Sequence, residues 1–114
     1  MQESLKQTLT QAAEDKKAED IELIDVKSVS DLCDEVFICS GQNERHTQAI
    51  AENIKEQMQK QHKLKPYVCE GLSEGQWILL DYGFVFVNVF TDEVRQHYSI
   101  EDMWNKRVSQ TKSS

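Results

Sequence analysis

No run in these 114 residues approaches the roughly 20 consecutive apolar residues that a membrane-spanning helix needs, and the N-terminus lacks the basic-then-apolar order of a secretory signal. The expectation is a cytoplasmic protein without a membrane partner. Cysteine is sparse, and Cys33, Cys39 and Cys69 form no CxxC pair. An odd number at irregular spacing suits buried or free thiols in a reducing compartment, not a disulfide framework or a zinc site. The histidines His46, His62 and His97 lack the i, i+4 spacing that sets two metal ligands on one helix face, so they read as solvated or capping groups. Basic residues are outnumbered, 13 Lys and Arg against 20 Asp and Glu, for a formal charge of −7. That charge repels a phosphate backbone, because nucleic-acid binding depends on cations displacing counterions. A basic protein surface suits it better, and no direct nucleic-acid specificity is expected.

What remains is a soluble domain. A hydrophobic share of 39% with 29% charged residues fits a polar surface around one core. The chain is too short for two cores. One domain over 1–107 is expected, with 108–114 a flexible polar tail that has nothing to bury.

Along the chain, Leu5, Leu9, Ala12 and Ala13 recur at helical spacing, which predicts an amphipathic helix over 2–18. Residues 21–26 and the wholly apolar Val36-Phe37-Ile38-Cys39 read as strands, the second buried on both faces, with a polar connection over 28–35. After Ser40-Gly41, Asn43 is the expected N-cap of a helix carrying Ile50, Ala51, Ile54 and Met58 on one face. That helix should run to about His62, before Pro66 forbids continuation. Residues 67–70 read as a short strand and 71–75 as a turn. Trp77 to Tyr82 and Phe84 to Phe90 then form an antiparallel hairpin reversing at Gly83. A short helical turn opens at Thr91, and Ser99-Ile100-Glu101-Asp102 has the form of a further helix start. The order α-β-β-α-β-β-β-α implies an α/β fold whose mixed sheet is covered mainly on one face.

Candidate chemistry is thin. The Ser40-Gly41 junction before a helix has the form of an anion site, but any β-to-α turn uses glycine in this way. Two-metal catalysis needs alternating carboxylates, and Asp81 has none at 79 or 83. Cys39 lies inside an apolar strand and reads as a small core residue. No catalytic residue, metal or cofactor is therefore assigned. The hairpin is different. Trp77, Leu79 and Asp81 share one strand face, with Tyr82 at the turn, and aromatic anchors beside a few polar groups are typical of protein interfaces. In the next strand Phe84, Phe86, Asn88 and Phe90 alternate with Val85, Val87 and Val89, and neither face looks solvent-facing. Pattern alone leaves open which face is core and which is interface. It also leaves Arg45 and Arg95 between intramolecular ion pairs and partner contacts.

Several short words of the sequence, in this order, look familiar: Asp34-Glu35-Val36-Phe37-Ile38-Cys39-Ser40-Gly41, Arg45-His46-Thr47-Gln48-Ala49-Ile50-Ala51, Glu70-Gly71, Trp77-Ile78-Leu79-Leu80-Asp81-Tyr82-Gly83 and Val87-Asn88-Val89-Phe90, then Arg95, Tyr98, Glu101 and Trp104. From about residue 2 to 107 the chain resembles the ribosomal silencing factors, also called the Iojap family. The resemblance implies a fold related to the nucleotidyltransferase fold without its catalytic apparatus. It also implies a translational repressor that binds large-subunit ribosomal protein fourteen and blocks joining of the small subunit when nutrients are short, and a homodimer when free. Carried over by position, Trp77, Leu79, Asp81, Tyr82, Phe90 and Arg95 are the expected partner-binding residues. The chain departs from the family's usual residues in three places: Phe84 stands for an acid, Asn88 for a histidine and Asn43 for a serine. The first makes the turn more apolar, the second removes a titratable group, and the third exchanges one capping residue for another. The alternative reading is a nucleotide-binding or nucleotide-transfer enzyme using the Ser40-Gly41 junction.

Overall fold

The computed structural model describes residues 2–28, 31 and 33–97. The expected helix start at Ser99 and the tail over 108–114 lie outside these residues. The described elements are α1 (Glu3–Asp15), β1 (Glu19–Asp25), β2 (Glu35–Gly41), α2 (Glu44–His62), β3 (Val68–Glu70), β4 (Trp77–Asp81), β5 (Val85–Thr91) and α3 (Asp92–His97). The α/β order read from the sequence holds as far as α3.

The five strands form one mixed sheet in the order β1-β2-β5-β4-β3. Strands β2 and β5 are parallel, with Glu35 opposite Val85 and Gly41 opposite Thr91; the other neighbours are antiparallel. Every residue of β2 and β5 is buried, as expected where two central strands are covered on both sides. Strand β2 begins at Glu35, the residue expected to close the polar connection. Burial there is tolerated because Lys6 of α1 brings its ammonium to 3.9 Å from the Glu35 carboxylate.

Helix α1 stops at Asp15, earlier than its apolar pattern suggests, because Lys17 adopts a left-handed φ of 60°. The N–H groups of Lys17 and Ala18 then return to the Glu14 and Ala13 carbonyls, closing the helix end. Helix α2 starts as predicted: Asn43 accepts from the His46 N–H at 2.9 Å. It ends as Lys63 turns left-handed, three residues before Pro66.

Both long helices cover the same sheet face. Leu9, Ala12 and Ala13 of α1 and Ile50, Ala51, Ile54 and Met58 of α2 pack on Phe37, Cys39, Ile78, Leu80, Val85, Val87 and Val89, all fully buried. Removing a large side chain from water contributes about 1.5–3 kcal/mol, far more than helix propensity supplies per residue, so packing holds the helices in place. The opposite face has its own smaller cluster: Val36, Ile38, Leu79, Phe86 and Phe90, joined by Val26 and Cys33. Val26 and Cys33, from the two ends of the β1–β2 connection, therefore pack against this second face, a contact its polar composition did not announce.

Candidate functional site

The second face places the hairpin residues singled out from the sequence. Cross-strand register sets Trp77 opposite Phe90, Leu79 opposite Asn88 and Asp81 opposite Phe86, and directly opposed residues share a face. The Trp77 and Phe90 rings lie 4.9 Å apart, tilted by 41°, a favourable aromatic pairing. The Trp77 indole Nε1–H donates to Asn88 Oδ1 at 3.0 Å, and Asn88 Nδ2 donates to the Phe86 carbonyl at 3.3 Å. Asp81 caps the hairpin turn, accepting from the Gly83 N–H at 2.8 Å. That turn needs Gly83, whose φ is +85°.

Exposure divides these residues. Leu79 and Phe90 are buried within the second cluster, whereas Trp77 and Asp81, at the two ends of β4, stay half-buried. The face thus offers one aromatic and one acidic side chain on a packed apolar base. Cys33 packs in the second cluster, within electrostatic reach of Asp81. Its own burial, then the carboxylates of Asp81 and Asp34, push the Cys33 thiol up to about 11.

The junction before α2 is the site a nucleotide would need, and protein groups already fill it. The Gln42 N–H donates to His46 Nδ1 at 2.9 Å, and the His46 N–H goes to Asn43. Thr47 Oγ1 donates to the Gly75 carbonyl, and Gln48 Nε2 to the Leu72 carbonyl at 2.9 Å, which fastens the β3–β4 turn over the helix start. The fit is tight enough that a Cβ on Gly75 would stand 2.8 Å from Glu44, and one on Gly41 would stand 2.9 Å from Thr47. His46 also reaches the Lys16 carbonyl through Nε2 at 2.6 Å. With Nδ1 accepting and Nε2 donating, its ring is committed on both sides.

A sequence profile described as "ribosomal silencing factor during starvation" matches residues 1–114. The chain belongs to this family. The chain is 36% identical over 103 residues to the ribosomal silencing factor RsfS of Bacillus subtilis, covering 90% of this chain and 86% of that one. A crystal structure of a protein from Chromobacterium violaceum superposes with a TM-score of 0.83 at 27% identity, over 92% of this chain and 88% of that chain. A more distant relative is the mouse protein named "mitochondrial assembly of ribosomal large subunit protein 1", 30% identical over 81% of this chain and 41% of its own length.

Within this silencing-factor fold the six expected partner-binding residues separate. Trp77, Leu79, Asp81 and Phe90 come together on the second face. Tyr82 packs with the helix-side cluster instead. Its hydroxyl is buried without a hydrogen-bond partner among the described residues, and burial drives its pKa upward. Arg95 projects from α3 onto the strands, where it donates to Ser40 Oγ and the Asp20 carbonyl and pairs with Glu22. The intramolecular ion pair read from the sequence as one alternative for Arg95 is present. Sequence reasoning set Asn88 on the strand face of Phe86 and Phe90 but did not count it among the partner-binding residues; the signal was one amide in the middle of an apolar strand. It also missed Ser40 and Glu22 as partners of Arg95, for which no local signal exists.

Proposed function

We propose that the chain is a cytoplasmic translational repressor that docks on the large ribosomal subunit, at large-subunit ribosomal protein fourteen, and blocks joining of the small subunit by bulk. Residues 1–107 act as one unit, which forms a homodimer when free. No cofactor and no turnover are involved. Family membership supports a ribosomal role, and the name of the mouse relative supports the large subunit. The observation that carries the docking reading is Trp77: a half-buried indole packed at a tilt against Phe90, centroids 4.9 Å apart, on a sheet whose other apolar residues are already packed. Such an anchor is rigid before the partner arrives, and aromatic anchors dominate binding energy at protein interfaces. The formal charge of −7 favours encounter with a basic surface.

The nucleotide-enzyme alternative lacks a comparable feature, because the Gln42 and His46 N–H groups at this junction are taken by His46 and Asn43, and Thr47 and Gln48 fasten the β3–β4 turn to the helix start. Two measurements test the proposal. The protein should cosediment with purified large subunits and not with small ones, and calorimetric titration with nucleotide and magnesium should give no heat of binding. Cosedimentation with small subunits alone would overturn the docking reading, and micromolar nucleotide binding would restore the enzyme.

A further inference from the structure

We infer that Asn88 is a positioning residue of the docking face, its side-chain oxygen holding the Trp77 indole in the orientation that the partner meets. The inference rests on the docking reading above and adds a residue that acts entirely from beneath the surface.

Strand β5 is buried throughout and apolar on both sides of Asn88, which is itself only 6% exposed. An apolar side chain would fill this place with no polar group to satisfy, whereas a buried amide is tolerated only when hydrogen-bonded. Both ends of the Asn88 amide are used. Oδ1 accepts from Trp77 and Nδ2 donates to the Phe86 carbonyl, so the amide cannot turn without losing both bonds. The contact with Phe90 is non-directional in the plane of the ring and leaves the indole two flips about its outer torsion. Only one flip brings Nε1 to Asn88. Ring contact and hydrogen bond together, from two residues of β5, fix position and orientation.

A side chain fixed in advance loses less freedom on docking. Immobilising one rotamer-rich side chain at an interface changes affinity roughly twofold to tenfold. Asn88 thus tunes affinity through Trp77 without touching the partner.

The test uses the intact chain and purified large subunits. Asn88→Leu keeps an apolar side chain of similar size and removes the acceptor. Its affinity for large subunits should fall twofold to tenfold. In a Trp104→Phe background, which leaves Trp77 as the one tryptophan, the NMR signal of the indole N–H should move and its exchange with solvent should quicken. Asn88→His, whose ring nitrogen can accept the same bond, should restore both readouts, which filling the core alone would not do. If Asn88→Leu fails to fold, Trp77→Phe carries the test by deleting the donor while keeping a ring, and it should show the same loss. An indole signal unchanged in Asn88→Leu would overturn the inference. So would parental affinity in Asn88→Leu, or in Trp77→Phe where that stands in, while Trp77→Ala binds weakly. Trp77→Ala binding as well as the parent would instead remove the docking reading, and this inference with it.

Discussion

The Arg95 guanidinium donates to Ser40 Oγ at 2.8 Å, so α3 is tied back to β2 across 55 residues of sequence. The same group reaches the Asp20 carbonyl at 2.6 Å and the Glu22 carboxylate at 2.8 Å, and so joins α3 to β1 as well. Arg95 therefore serves the second face by holding its border. Because Glu22 is about half solvent-exposed, the ion pair adds little, and the bonds to Ser40 and the Asp20 backbone carry most of the effect. Arg95→Ala is expected to lower stability by about 1–2 kcal/mol, read by urea unfolding, with faster amide exchange in 92–97. A loss of large-subunit affinity exceeding that of Trp77→Ala, with stability unchanged, would instead assign Arg95 to direct partner contact.

Trp77→Ala is expected to cost on the order of 2 kcal/mol of large-subunit binding, about 30-fold in affinity. The free domain should remain folded, because the Trp77 side chain is only half-buried and Phe90 beneath it keeps its other neighbours. Circular dichroism and a binding titration on the same preparation check both halves. An unfolded variant would mean that Trp77 is a core residue.

The three thiols should separate by reactivity. Burial pushes Cys39 up to about 12 and Cys33 up to about 11, so neither supplies much thiolate near neutral pH, whereas Cys69 is exposed on β3. A thiol-labelling reagent at pH 8 should modify Cys69 quickly and the other two at the rate of unfolding. Rapid native-state modification of Cys33 would mean that Cys33 does not stay packed against the second face.

Charge predicts kinetics. With a formal charge of −7 the chain is steered toward a basic partner, so its association rate with large subunits should fall as salt rises while dissociation changes less. Stopped-flow binding at low and high ionic strength checks this, and an association rate independent of salt would remove the steering argument.

Much of the fold was legible because its signals are local. Asn43, the stripe from Ile50 to Met58 and Pro66 bound α2 within a few residues, and the unbroken apolar runs of β2 and β5 announce central strands. The parallel pairing of those two strands was not legible, since it joins residues 50 apart whose side chains carry no mark of their partner. The candidate face was half legible. Strand alternation unites Trp77, Leu79 and Asp81, and the same alternation sends Tyr82 to the other side, which its place beside the turn obscured. Which face the helices take depends on the whole sheet, and Phe86 and Phe90 are as apolar as the valines between them. The partners of Arg95 are tertiary, supplied by strands 55 to 75 residues earlier.

The most direct test of the central claim is subunit joining itself. Purified large and small subunits, mixed under conditions that favour the joined particle, would be separated by sedimentation with and without a saturating amount of the protein. The account predicts that the joined peak falls, that the protein travels with free large subunits, and that Trp77→Ala restores the joined peak. Normal joining at saturation, with the protein bound or not, would contradict it.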